Sequence, residues 1–206
     1  MSCTPLKHWA LYSAPLLIIL AVIWAGFANE SDVALFFKDH RAAHAGLAAF
    51  MRLVTNWCNP VFYVFYAAML FFAWRSGDRE KLRFVLVLLV VQGLVAGLAV
   101  HFTKYVIGRP RPGEGHWYAP LSGRYAQVSL PSGHTTEITG WTLPLALRSS
   151  RTAVSVLLGL FVGLAGFSRI YLGWHHPTDV FFGWLLGSVG GFAAVIIAES
   201  SLFRRS

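Results

Sequence analysis

Five stretches of the chain contain no Asp, Glu, Lys or Arg, at 9–28, 57–74, 84–102, 152–167 and 180–198. Each reaches or approaches the ~20 residues that a helix needs to cross the hydrocarbon core of a bilayer. A sixth stretch, 135–147, is weaker, because it is short and holds Glu137 and Pro144. It becomes long enough only if its helix begins near Ser132. The expected fold is all-α: an integral-membrane bundle of six transmembrane helices, with residues 1–206 forming a single domain. Between the first two runs, segment 30–56 mixes Leu35, Phe36, Leu47, Phe50, Met51, Leu53 and Val54 with charges and offers no spanning stretch. One or two helices lying in the membrane interface fit that pattern, and so does an extramembrane helical hairpin.

Composition agrees with lipid surroundings. Charged residues make up 13% of the chain, against about 25% in an ordinary soluble domain. The net charge of +8 raises nucleic acid as a partner. A nucleic-acid binder, however, gathers its cations on a water-exposed face, whereas these sit in short stretches between apolar runs. No nucleic-acid partner is expected, and no obligate protein partner is implied. The first run follows Lys7 much as a signal peptide would, but it has spanning length and no small-x-small cleavage site follows, so it reads as a retained helix. In an alternating layout Cys3 and Cys58 fall on opposite sides of the bilayer and cannot pair. Neither has the spacing of a metal ligand set.

Orientation rests on loop charge. Lys7, Arg75, Arg79, Lys81, Arg83, Arg148, Arg151, Arg204 and Arg205 share one side, and Lys38, Arg41, Arg52, Lys104, Arg109, Arg111, Arg124 and Arg169 the other. These totals are nearly equal. An asymmetry emerges only when the last five are set aside as functional. On that basis both termini are expected in the cytoplasm and the loops after the third and fifth helices at the periplasm or exterior. The expected location is a bacterial inner or plasma membrane.

Chemistry-bearing residues gather in those outward loops. Lys104 to Pro112 reads KYVIGRPRP, residues 131–134 read PSGH, and Ser168-Arg169 leads through His175 to Asp179. Fixed cations beside a helix N-terminus suit a multiply charged anion such as phosphate. Backbone N–H groups at Ser132 and Gly133 can aim at the same anion. Two histidines from separate segments can divide the work of nucleophile and general acid. Asp179, one helical turn after His175, can hold the imidazole in one tautomer. Each residue also has a bland reading: the cations as interface anchors, Ser132, Gly133 and Asp179 as helix caps. No carboxylate cluster is offered for magnesium, so neither metal nor other cofactor is expected.

The three segments resemble the signature of the type 2 phosphatidic acid phosphatase superfamily, K-x6-R-P, P-S-G-H and S-R-x5-H-x3-D, and every specified position is matched. The tetrapeptide alone would arise by chance in roughly one chain of this length per thousand. The resemblance covers residues 104–179 by motif, and it implies a helical bundle with its site at the membrane surface. It makes His175 the nucleophile that forms a phosphohistidine, oriented by Asp179, and His134 the group that protonates the leaving oxygen. Lys104, Arg111 and Arg169 would hold the phosphate oxygens, assisted by Ser132 and Gly133. Spacing selects His175 over His176, and Arg111 over Arg109.

The implied activity is hydrolysis of a lipid phosphomonoester or diphosphate, with a phospholipid or an isoprenoid phosphate as substrate. Polyprenyl diphosphate, phosphatidylglycerol phosphate, phosphatidic acid and a lipid A phosphate are all admissible. A lipid-to-lipid phosphotransferase and a non-catalytic lipid carrier or scaffold are the alternatives. His116, Trp117, Tyr118 and Arg124 lie where a headgroup can be read, or simply pack a loop. Glu137 either tunes His134, binds a substrate amine or hydroxyl, or pairs with an arginine.

Overall fold

A computed structural model describes residues 5–200, and among them every regular element is a helix. Cys3, Arg204 and Arg205, which entered the layout above, lie outside the described residues. The order is α1 (Pro5–Gly26), α2 (Glu30–Ala43), α3 (Ala45–Trp57), α4 (Pro60–Ser76), α5 (Arg79–Gln92), α6 (Val100–Ile107), α7 (Gly133–Arg148), α8 (Thr152–Tyr171) and α9 (Pro177–Glu199). A π-helical segment, Gly93–Ala99, joins α5 to α6.

Local chemistry accounts for the breaks. Asn29 caps α2, its side-chain oxygen accepting the amides of Ser31 and Asp32 at 2.9 and 3.0 Å. Glu30 and Asp32 stand in the first turn and Arg41 in the last, as the helix dipole favours. Gly77 ends α4 in the left-handed conformation, and Asp78 caps α5 through the Lys81 amide at 3.0 Å. Pro60 stands at the first position of α4, where its missing N–H costs nothing.

Among the described residues, five helical stretches are long and apolar enough to span a bilayer: Pro5–Gly26, Ala45–Ser76, Arg79–Ile107, Thr152–Tyr171 and Pro177–Glu199. The protein is an all-α membrane bundle. Its second span reaches further back than the apolar run at 57, because α3 continues almost directly into α4. The rest of segment 30–56 is α2, which turns Val33 and Phe37 into the core shared with α1 and α8.

The sixth stretch is α7, which starts at Gly133 with Ser132 as its cap. Its 16 residues make a helix of about 24 Å, shorter than the ~30 Å hydrocarbon core. α7 packs against α9, α8 and α1, and most of it is buried, including Thr135, Thr136, Thr139 and Thr142. A helix enclosed by protein does not need an apolar exterior. Its hydroxyls are turned inward: Thr136 donates to the Ser132 carbonyl at 3.0 Å, and Thr142 to that of Ile138 at 2.6 Å.

Against α7, helix α9 presents glycines one turn apart. A methyl group on Gly183 would meet the Ser132 carbonyl oxygen at 2.6 Å, and one on Gly187 would meet that of Thr136 at 2.5 Å. Small residues let membrane helices approach to backbone contact. The Ser132 amide donates to the Asp179 carbonyl at 2.9 Å across the same seam. Large side chains such as Phe71, Phe72, Leu98 and Phe102 stay exposed on the outer helices, as suits a lipid-facing surface. At one end of the bundle Arg148 of α7 pairs with Glu199 of α9 at 2.8 Å and with Glu80 of α5 at 3.4 Å. The signature residues occupy the other end.

Candidate active site

Gly108 ends α6 with φ +60°, and a Cβ there would run into the backbone of Ala119. That turn directs the chain from Lys104, in the last turn of α6, into the loop bearing Arg109 and Arg111. The Arg111 guanidinium donates to the Tyr125 carbonyl at 2.9 Å and the Trp174 carbonyl at 2.7 Å, and it stacks 4.0 Å from the Tyr125 ring centre. Arg169, at the end of α8, donates to Thr55 at 2.8 Å and lies 4.4 Å from the Trp174 ring centre. Its Nε is buried without a partner. Lys104 Nζ donates to the Val128 carbonyl at 2.7 Å.

These three cations, with Gly133, His134 and His175, line a single cavity of about 470 Å³. Among the described residues none of the three has a carboxylate partner. Their charge is held in place by neutral carbonyls, a hydroxyl and aromatic rings, and stays available to an anion. Gly133, the first residue of α7, adds the positive end of that helix.

His175 is buried against this cavity, with Nδ1 3.5 Å from Asp179 Oδ2. That is longer than a formed hydrogen bond. Burial, reinforced by Arg169 and Lys104 and opposed by Asp179, pushes its pKa down to about 3. The free imidazole is therefore neutral at ordinary pH, with a lone pair to share. His134 stands in the first turn of α7 and is exposed to the cavity.

Two of the expected residues stand behind the cavity wall. Asp179 is fully buried; its carboxylate accepts from Arg109 at 2.5 Å, from Ser129 at 2.5 Å and from the His176 amide at 2.8 Å. It thus serves as a capping residue of α9 while also facing His175. The Ser132 hydroxyl is likewise buried; it caps α7 by accepting from the Thr135 amide at 3.5 Å, and it also accepts from the Thr135 hydroxyl at 3.0 Å. His176 caps α9 and places Nε2 3.2 Å from the Pro110 carbonyl, outside the cavity.

Glu137 lines the cavity and accepts from the Tyr63 hydroxyl at 2.5 Å, so its partner is a tyrosine and not an arginine. Arg124 is exposed in the loop, and His116 lines a separate cavity with Lys38, Arg41 and His176. Sequence reasoning missed Asn56, His101, Tyr125 and Trp174 in the cavity wall, and Thr55, Ser129 and Glu30 behind it. Only Trp174, beside His175 within a motif, carried a local signal.

A membrane bundle whose cavity gathers three cations without ion-pair partners and two imidazoles at one end has the chemistry to hold a tetrahedral oxyanion. Residues 81–201 match the family model of the PAP2 superfamily, and the chain belongs to that superfamily. It is 30% identical to a lipid A 1-phosphatase of Rhizobium johnstonii over 73% of this chain and 68% of that one. It is 31% identical to undecaprenyl-diphosphatase BcrC of Bacillus subtilis, over 84% and 82% respectively. An undecaprenyl-diphosphatase of Sulfolobus acidocaldarius is 30% identical over 61% of each chain. No solved structure matches.

Proposed function

We propose that this protein hydrolyses a lipid phosphomonoester or diphosphate through a phosphohistidine and without a metal ion. The observation that carries the reading is the convergence of Lys104, Arg111 and Arg169, free of carboxylate partners, on the cavity that His134 and His175 share. Relatives named for lipid A and undecaprenyl diphosphate support a lipid substrate.

In the first step the neutral His175 ring uses its Nε2 lone pair to form an N–P bond. The P–O bond to the lipid breaks, its electron pair stays on the leaving oxygen, and His134 supplies the proton. In the second step water attacks phosphorus, His134 takes a proton from it, and the N–P electron pair returns to His175 as inorganic phosphate leaves. The three cations neutralise the charge that spreads over the phosphoryl oxygens. Asp179 stabilises the positive ring that exists between the steps.

Phosphate release from a panel of lipid phosphates by detergent-purified protein tests this reading directly. A phosphorylated lipid acceptor in place of free phosphate would make the protein a phosphotransferase instead. Because the cavity is already lined by fixed cations, activity is expected to survive EDTA. Complete loss on chelation, restored by magnesium, would sink the metal-free chemistry.

The site faces the exterior or periplasm in this proposal, with both termini in the cytoplasm. Single cysteines introduced near Arg124 should react with an impermeant reagent in intact cells, while ones near Asp78 should not. The reverse pattern would place the reaction on the cytoplasmic leaflet.

A further inference from the structure

Arg109 lies outside the cavity, yet it is the hub of a partly buried polar chain. One arm of its guanidinium donates to Asp179 Oδ1 at 2.5 Å and to the Thr178 hydroxyl at 2.6 Å. The other donates to Glu30 Oε2 at 2.5 Å. The second oxygen of Glu30 accepts the Thr178 amide at 2.9 Å and its hydroxyl at 2.8 Å. Glu30, the first residue of α2, is thereby fastened to the start of α9, 148 positions away in sequence.

We propose that Glu30 and Arg109 are positioning residues that set how much of Asp179's charge is available to His175. The proposal rests on the phosphohistidine reading above. Asp179 already accepts from Arg109, Ser129 and the His176 amide, so little negative charge is left for the fourth neighbour, His175. An uncompensated Arg109 would take most of it. Glu30 stands on the far side of the same guanidinium and draws its charge back, so that signs alternate from Glu30 through Arg109 and Asp179 to the ring. The alternation matters most when His175 carries phosphorus and is cationic, because that state needs Asp179 most. The other titratable groups around the pair are His176, with Nδ1 3.8 Å from Glu30 Oε2, and Tyr118 of the loop.

A purely structural tie would also explain a partly buried charge triad, and kinetics separates the two. Glu30→Gln keeps the shape and removes the charge. In detergent-purified full-length protein with one lipid phosphate as substrate, kcat should fall by about 10- to 100-fold. KM and inhibition by inorganic phosphate should stay within about 2-fold, since Lys104, Arg111 and Arg169 are untouched. The acid limb of kcat/KM should move to lower pH, because protonating His175 is harder with one negative charge fewer nearby. Arg109→Gln leaves Glu30 and Asp179 facing each other, and the double variant Glu30→Gln/Arg109→Gln should be less impaired than the product of the two single losses.

An unchanged kcat and acid limb in Glu30→Gln would overturn the inference. So would equal losses in kcat and phosphate inhibition, which indicate a distorted cavity. Failure of the underlying reading looks different: wild-type protein that releases no phosphate, or an active His175→Ala variant.

Discussion

His175→Ala is expected to abolish turnover, by about 10⁴-fold or more, because losing a nucleophile removes a step that the rest of the site cannot replace. The same variant should lose covalent labelling by radioactive substrate phosphate, trapped by rapid quenching under alkaline conditions. Phosphate binding should persist, since the clamp of Lys104, Arg111 and Arg169 is intact in that variant. Labelled protein in the absence of His175 would assign the nucleophile wrongly. In the wild type, the neutral ring also sets a pH expectation. With the His175 pKa pushed down to about 3, no acid limb from this ring should appear near 6.5, the value of a free histidine. Acidification affects stability with the opposite emphasis. The unfolded chain takes up the proton first, so the stability that this ring contributes above pH 6.5 is lost as pH falls towards 3.

His134→Ala should be the second-largest loss, and its size should depend on the substrate. A general acid contributes about 10²- to 10⁴-fold when the leaving oxygen needs its proton. A lipid alcohol is such a leaving group. A phosphate monoester leaving from a diphosphate, or an aryl oxide, departs as a stable anion and needs little protonation. The variant should therefore lose far more activity on an alkyl phosphomonoester than on a diphosphate or an aryl phosphate. Equal losses on all of them would assign His134 to binding or to water activation instead.

Much of this was legible because membrane helices announce themselves by composition and because the cation and histidine spacings lie within short segments. α7 was the hardest helix to read for a physical reason: it is shielded by α8, α9 and α1, and its threonines and Glu137 lower the apolar signal that lipid-facing helices carry. Lys104, Arg111 and Arg169 were expected together, and they do line one cavity. Their supports were hidden. Thr55 holds Arg169 from 114 positions away, and Glu30 reaches Thr178 from 148. Neither residue has a neighbour in sequence that hints at the contact. Arg109 was set aside on spacing alone, which separated it correctly from the cavity but gave no sign of its pairing with Asp179. Asp179 and Ser132 bear out the capping reading, since each caps a helix, and both stand behind the cavity wall.

His134 is the second residue of α7 and His175 stands two residues before α9, so the seam in which Gly183 and Gly187 leave no room for a methyl group ties together the two helix starts that carry the imidazoles. Substitution along that seam has nowhere to go. The outer helices are less restricted, since Phe71, Phe72, Leu98 and Phe102 are each more than half exposed. Variation is thus partitioned by architecture. The periphery is free to drift towards new acyl or isoprenoid companions while the reacting atoms stay in register, and descendants of such a frame can diversify in what they accept without altering how they react.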